Sequence, residues 1–290
     1  MDLNADGNID ILSGSYSRQG KDMAGLFQVL WGQKGGTWKA AEVLCGSDGE
    51  PLIITAGKGD DAVIEKICTR PTAVDLDGDG KLDLVSGNFR GTFAFFQGEG
   101  NGKFAPMSTW LLGGKQPLAV QAHSDPFFVD WDRDGDLDLL TGSSSGGVFL
   151  HENLGTAKAA KFGKQQTLVA TVGHRTGETK MGDGHLEGPQ GDTRVWVDDV
   201  NGDGKLDLLV GDQVGLVFPA KGVAEAAAVA KLRDWEAKET KVMAAQQTNG
   251  GEPSEADMKK FQDAYEALQK ERETFVRDER TGFVWVLYQK

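Results

Sequence analysis

Four nine-residue stretches repeat one acidic pattern along the chain, and whatever this sequence folds into must accommodate all four. They read DLNADGNID from Asp2, DLDGDGKLD from Asp75, DWDRDGDLD from Asp130 and DVNGDGKLD from Asp199. Each fits D-x-[DN]-x-D-G-x-x-D and runs on into Ile11-Leu12-Ser13-Gly14, Leu84-Val85-Ser86-Gly87, Leu139-Leu140-Thr141-Gly142 or Leu208-Leu209-Val210-Gly211. At ordinary residue frequencies such a match arises roughly once in a million starting positions, so the four are copies of one unit. The stretches hold 3, 4, 5 and 3 carboxylates, and the formal charge of −13 would be +2 without them. The acidity belongs to four short sites that call for a counter-cation.

The slots follow from oxygen chemistry. The first position (Asp2, Asp75, Asp130, Asp199), the third (Asn4, Asp77, Asp132, Asn201) and the fifth (Asp6, Asp79, Asp134, Asp203) put short oxygen side chains inside a tight loop. Glycine at the sixth permits the sharp turn. The seventh holds Asn8, Lys81, Asp136 and Lys205; an ammonium cannot ligate a cation, so this slot is expected to offer its carbonyl and point its side chain outward. The ninth is always Asp (Asp10, Asp83, Asp138, Asp207) and is read as the last ligand. Oxygen donors without His or Cys select Ca²⁺ over zinc or copper. The second and third sites, with aspartate where Asn4 and Asn201 stand in the others, are expected to bind more tightly. An EF-hand is excluded, because its twelfth-position Glu is replaced by Ser13, Ser86, Thr141 and Val210. A bare acidic turn is disfavoured by the repulsion of carboxylates held so close.

The flanks alternate as strands do, so each loop joins two strands. A third strand opens on glycine: Gly25–Leu30, Gly91–Phe96, Gly147–Leu150 and Gly215–Phe218; a fourth is expected near Trp38, Phe104 and Phe162. The loops start 73, 55 and 69 residues apart, a spacing suited to a propeller or solenoid. With turns such as Asn101-Gly102-Lys103-Phe104-Ala105-Pro106, residues 1 to about 220 resemble FG-GAP or VCBS-type repeats, the units of the integrin α-subunit propeller and of secreted bacterial proteins. The resemblance implies an all-β β-propeller of four-stranded antiparallel blades, calcium loops on one face and partner-binding loops on the other. Integrin-type rings have seven blades, and four are readable here. Met1 stands where the innermost strand of the first blade belongs; that strand is expected to be lost by truncation, or replaced by the C-terminal Gly282–Tyr288 strand as a clasp.

The domain reading is 1–221 for the repeats, 222–280 for a helical hairpin inserted in the last blade, and 281–290 for a returning strand. Ala228, Leu232, Trp235 and Val242 form one seam, and Met258, Phe261, Tyr265, Leu268 and Phe275 another, around a turn at Thr248–Gly251. Ser254 and Asp257 read as a capping box.

Other signals bound the function. Forty glycines with only 8 prolines indicate turns rather than collagen or linker. No apolar run spans a bilayer, and the negative charge disfavours nucleic acid. No G-x-S-x-G, H-E-x-x-H or phosphate-cradling loop is present. The expectation is a non-catalytic, extracellular or periplasmic module binding a protein or glycan through residues 45–70, 111–127 and 170–193; the rival is a calcium-dependent polysaccharide lyase or hydrolase. Cys45 and Cys68 either staple the first long connection or are separate thiols. Cys68, His123 and Asp192 share one offset, seven residues before the first ligand, and form a candidate transition-metal set. His174, Glu178, Asp183, His185 and Glu187 mark a candidate ligand loop.

Overall fold

The structure is a computed structural model that describes residues 1–18, 23–55, 57, 61–171, 180–246 and 254–290. The chain divides into two compact units: residues 1–172, 189–212 and 283–290, and residues 173–188 and 213–282.

In the first unit the acidic repeat recurs as a sheet. β1 (Ile11–Gly14) pairs with β2 (Phe27–Leu30), a short ribbon of β3 (Gly32–Gln33) and β4 (Thr37–Trp38) follows, and β5 (Glu42–Val43) closes a three-stranded sheet in the order β1-β2-β5. After the short helix α1 (Asp61–Lys66) come β6 (Arg70–Val74), β7 (Asp83–Gly87), β8 (Phe93–Phe96), the ribbon β9 (Gly98–Gly100) with β10 (Lys103–Phe104), and β11 (Thr109–Trp110); the sheet is β6-β7-β8-β11. A hairpin of β12 (Leu112–Gly113) and β13 (Gln116–Pro117) leads to the four-stranded sheet of β14 (Asp125–Val129), β15 (Asp138–Gly142), β16 (Val148–His151) and β17 (Gln166–Val169). All these pairings are antiparallel. The fourth strands thus lie beyond the expected aromatics: Trp38 and Phe104 sit in the ribbons, and Phe162 makes an isolated bridge to Asn153. The extra ribbon exists because the chain turns once more on Gly-rich segments such as Gly100 and Gly102, both at positive φ.

Alternation along β7 and β15 buries both of their faces. Leu84 packs in a core with Phe27, Val29, Ala94 and Phe96, while its neighbour Val85 packs on the other side with Phe93, Leu139 and Phe162. Leu140 then faces Val195, Val197, Leu208 and Val210. Each such side chain stabilises by about 1.5–3 kcal/mol. Between the faces runs a close backbone approach. A Cβ on Gly14, Gly87 or Gly142 would lie 1.9, 2.0 or 2.1 Å from the carbonyl oxygen of Thr69, Ser124 or Thr193, respectively, in the next sheet. The hydroxyls of those residues accept from the backbone amides of Ser15, Asn88 and Ser143 at 2.9, 3.1 and 2.9 Å. The terminal glycine of the first three repeats is therefore demanded by the neighbouring strand.

The fourth repeat departs from expectation. β18 (Gly191–Asp198) pairs with β19 (Asp207–Pro219), which runs straight through the place where the other repeats turn. Asp212 stands where Ser15, Asn88 and Ser143 stand elsewhere. Its carboxylate accepts from the backbone amides of Gln190 and Phe283, both at 2.8 Å, and from Trp285 Nε1 at 3.1 Å. Gly215–Phe218 is consequently not the third strand of this sheet. That place is taken by β21 (Val284–Leu287), paired to Leu208–Gly211 of β19. The C-terminal strand belongs to the fourth repeat and is no clasp on the first.

In the second unit, Val214–Pro219 of β19 pairs with β20 (Val276–Thr281), and α2 (Glu225–Gln246) packs against α3 (Glu255–Glu273). Ala228, Leu232, Trp235, Leu268, Phe275 and Val276 form the core, and Trp235 Nε1 donates to the Leu268 carbonyl at 2.7 Å. Ser254 caps α3, its hydroxyl accepting from the Asp257 amide at 3.2 Å. Met258, expected in the seam, is exposed. The Thr248–Gly251 turn lies outside the described residues.

Candidate metal sites

Each acidic stretch folds into a loop that leads into the strand after it, and the second, third and fourth join that strand to the one before, β6 to β7, β14 to β15 and β18 to β19; the repeat dictates the hydrogen bonds of all four. The first-position carboxylate accepts from the sixth-position glycine amide: Asp2 from Gly7 at 2.8 Å, Asp75 from Gly80 at 2.9 Å, Asp130 from Gly135 at 3.1 Å and Asp199 from Gly204 at 2.8 Å. The fifth-position carboxylate accepts from the amide two residues on, at 2.9 Å in Asp6, Asp79 and Asp203 and 3.1 Å in Asp134. Two residues per loop are left-handed. The sixth is always glycine, but the fourth is Ala5 at φ 58° and Arg133 at φ 65° as well as Gly78 and Gly202. The fourth-position demand is masked in the sequence, because only two of the four repeats meet it with glycine.

The ninth-position aspartates are all buried, and they do more than the sequence pattern conveyed. One oxygen accepts from the second-position amide: Asp10 from Leu3 at 2.8 Å, Asp83 from Leu76 at 3.0 Å, Asp138 from Trp131 at 2.9 Å and Asp207 from Val200 at 3.1 Å. The other reaches past the third strand to the amides of Gly32, Gly98, Asn153 and Gln289 at 2.7, 2.7, 2.7 and 3.0 Å. A candidate ligand is thus also the pin that fixes loop to sheet. We expect Asp138→Ala to lower the melting temperature even in chelator, by the equivalent of about 3 kcal/mol, since two buried amides lose their acceptor. A variant that melts like the parent in chelator would assign Asp138 to the cation alone.

In the second and third loops the carboxylates converge. Ligand atoms of Asp75, Asp77 and Asp83, and those of Asp130, Asp132 and Asp138, lie within 4.8 Å of one another, so each triad can hold a metal ion. In the first and fourth loops the corresponding third-position side chains are the amides of Asn4 and Asn201. Both donate to the fifth-position carboxylates, Asn4 to Asp6 at 3.1 Å and Asn201 to Asp203 at 3.3 Å.

The third loop is the most strongly disposed toward a cation. Asp136, in the seventh position, is buried rather than turned outward. Its Oδ1 and the Oδ1 of Asp130 are buried with no hydrogen-bond partner. Burial, then the charges of Asp134, Asp138, Asp132 and Asp130, push the Asp136 carboxyl above the ordinary range. Burial raises Asp138 and Asp83 too, against the opposing pull of the amides they accept from. Lys81 behaves differently: its ammonium lies 2.9 Å from Asp79 Oδ2 and holds that carboxyl below its usual value. Asn8 Nδ2 bonds Asp6 at 2.8 Å, which has the same effect on Asp6. Asn8 is half-buried and Lys205 is exposed. Oxygen-only donors and orphaned buried oxygens fit a hard cation.

The opposite ends of the innermost strands gather the other candidates. Cys68, His123 and Asp192 all adopt left-handed φ, at 59, 48 and 48°. Their amides bond the carbonyls of Tyr16, Phe89 and Ser144 at 2.6, 3.2 and 3.0 Å. The strands bring His123 Nδ1 to 3.7 Å from Asp192 Oδ1, and Arg194 Nε to 3.2 Å from Asp125 Oδ2. Among the described residues Cys68, His123 and Asp192 do not form a three-ligand group, because only the two aspartate triads do. Cys45 and Cys68 are free thiols. His174 and Glu178 lie outside the described residues, and Asp183 and Glu187 are not part of a metal group within them. His185 keeps its Nδ1 buried without a partner.

Residues 75–141, from the second acidic loop through the strand that leaves the third, match the family model of an FG-GAP-like repeat. That stretch is where both aspartate triads lie, and its resemblance to FG-GAP repeats is shown by the match. No curated protein matches the chain. Over residues 75–141 the FG-GAP-like repeat lies on a β-rich framework of antiparallel sheets.

Proposed function

We propose that the chain is a calcium-stabilised, propeller-like module that binds a protein or glycan outside the cytoplasm and does no catalysis. The observation that carries this reading is the third loop, where five aspartates gather around two buried oxygens that lack partners. Calcium would be held there by Asp130, Asp132 and Asp138, with Asp136 beside them, and in the second loop by Asp75, Asp77 and Asp83. Bound calcium supplies charge neutralisation. The chain's own part is to hold the loop against the sheet through the ninth aspartate and to keep the sixth position free of a side chain. Loops of extracellular modules bind calcium with Kd about 10⁻⁴–10⁻³ M, matched to external and not cytosolic concentrations. No helix among the described residues is long and apolar enough to cross a membrane.

Partner binding is proposed for residues 45–70, 111–127 and 170–193, of which 61–69, 118–124 and 189–190 lead into β6, β14 and β18 at the ends away from the acidic loops. Support comes from the polar and charged side chains those ends present. Arg70 donates to the His123 carbonyl at 2.9 Å, and beside it stand the Arg194–Asp125 and His123–Asp192 pairs. Isothermal titration of the calcium-stripped chain tests the reading. We expect binding in the 0.1–1 mM range, on the order stated for such loops, and loss of the tightest component in Asp130→Asn/Asp136→Asn. Absence of calcium heat in the parent chain would overturn the proposal.

A further inference from the structure

The third position of the fourth acidic loop is Asn201, and Gly202 follows it; both residues are exposed. Where the second and third loops carry the carboxylates of Asp77 and Asp132, this loop carries a carboxamide. An asparagine side chain can be attacked by the backbone nitrogen of the next residue, because the two are tethered closely enough to close a five-membered ring. A following glycine leaves that nitrogen unshielded.

Three contacts in the loop suit this reaction. The Gly202 amide donates to Asp199 Oδ1 at 2.7 Å, so a carboxylate is placed to take the proton that the nucleophile must lose. Asn201 Oδ1 accepts from the Asp203 amide at 2.8 Å, a donor aimed at the oxygen on which negative charge develops. Asn201 Nδ2, the departing nitrogen, lies 3.3 Å from Asp203 Oδ2. The first loop has the last two contacts, Asn4 meeting the amide and the carboxylate of Asp6 at 3.1 Å each, but its next residue is Ala5. In the other three loops the first-position carboxylate accepts from later amides: Asp6 and Gly7, Asp79 and Gly80, or Gly135. Among the described residues none of the three accepts from the fourth-position amide. Asn101-Gly102, at the tip of the β9–β10 ribbon, is an exposed Asn-Gly pair that makes none of these contacts among the described residues.

We infer that Asn201 is a self-modification site, converted by deamidation through a cyclic imide. The Gly202 nitrogen bonds to Asn201 Cγ as its proton passes to Asp199. The bond from Cγ to Nδ2 breaks, and that nitrogen leaves as ammonia with the transferred proton. Water then adds to the imide and opens either of its two carbonyl–nitrogen bonds. One opening restores the backbone with an aspartate side chain at position 201; the other routes the backbone through the β-carbon. The first product gives the fourth loop the carboxylate that Asp77 and Asp132 supply to the two aspartate triads. The conversion stands apart from calcium, and its effect on ion binding rests on the proposed calcium sites.

The test incubates the full chain at neutral pH in chelator and follows the exchange of NH for O by mass spectrometry of its peptides. Position 201 should convert about tenfold faster than Asn101, a modest share of what a positioned base and oxyanion donor supply. Asp199→Asn should bring it down to the Asn101 rate. Gly202→Ala keeps the loop, since the first loop holds Ala5 at this place with φ 58°, and should nearly abolish conversion. Asn201 left intact while Asn101 converts, or a rate that both variants leave unaltered, would overturn the inference. Calcium should slow conversion severalfold by drawing Asp199 to the ion, and Asn201→Asp should bind calcium about tenfold more tightly in the fourth loop, as ligand charge tunes such sites. Conversion equally fast in calcium supports the modification and counts against an ion in the fourth loop.

Discussion

In about 2 mM Ca²⁺ the chain should melt roughly 10 °C above its melting point in chelator. The size follows from the two aspartate triads alone. For a Kd of about 0.1 mM each site contributes about 1.8 kcal/mol, hence about 3.6 kcal/mol for two. In a chain of this size each kcal/mol moves the transition by about 2–4 °C. The physical source is local: Asp136 is buried among four further aspartates, and a divalent ion converts their mutual repulsion into attraction. Differential scanning calorimetry in calcium, magnesium and chelator measures the effect. Magnesium demands stricter octahedral geometry and should give less than half the shift. An unchanged melt in calcium would show that the loops stand without an ion and that the charge they concentrate is tolerated.

The second large effect concerns packing. Gly87→Ala and Gly142→Ala should each destabilise by about 3 kcal/mol or more, because the added methyl meets the backbone oxygen of Ser124 or Thr193 near 2 Å and that strand cannot retreat without breaking its own ladder. Gly211→Ala should stay within about 0.5 kcal/mol. Its sequence position in the repeat is identical, but the nearest atom to the added methyl is Arg194 Cβ at 3.9 Å. Thermal melts of the three variants decide it, and comparable losses at Gly87 and Gly211 would show the effect to be intrinsic to the strand rather than imposed by the neighbouring sheet.

Much of this was legible in the repeats themselves. Four copies of one spacing show which positions are interchangeable, so the acidic loops, the strands that leave them and the aspartates that converge in the second and third loops follow from alignment of the chain with itself. Long-range closure was less legible. Nothing local to Gly215–Phe218 distinguishes a third strand of one sheet from the far half of a longer strand. The choice is made by Asp212, which fixes Phe283 and Trp285 some seventy residues away. The aromatics Trp38, Phe104 and Phe162 misled in the same way, since they belong to ribbons and bridges beside the main sheets rather than to the fourth strands. Asp136 shows the limit of averaging over copies. Lysine at the same position in two repeats argues for an outward side chain, yet the third loop turns its carboxylate in. One signal was present and unread: Thr69, Ser124 and Thr193 fall at the same offset, six residues before each loop, and their hydroxyls fasten one sheet to the next.

That fastening bears on how such a chain changes length. Each join uses one hydroxyl, one carbonyl and one bare α-carbon, drawn from the same places in successive units. Because no join depends on which copy stands to either side, a duplicated or deleted stretch of the gene spanning one whole unit leaves every remaining join chemically unchanged. Stability in such an array is close to a sum of unit and neighbour terms. At Gly211 the pattern stops, because the amide and carboxylate of the next residue, Asp212, are already bonded to Phe283 and Trp285, so the array has no free join at that place.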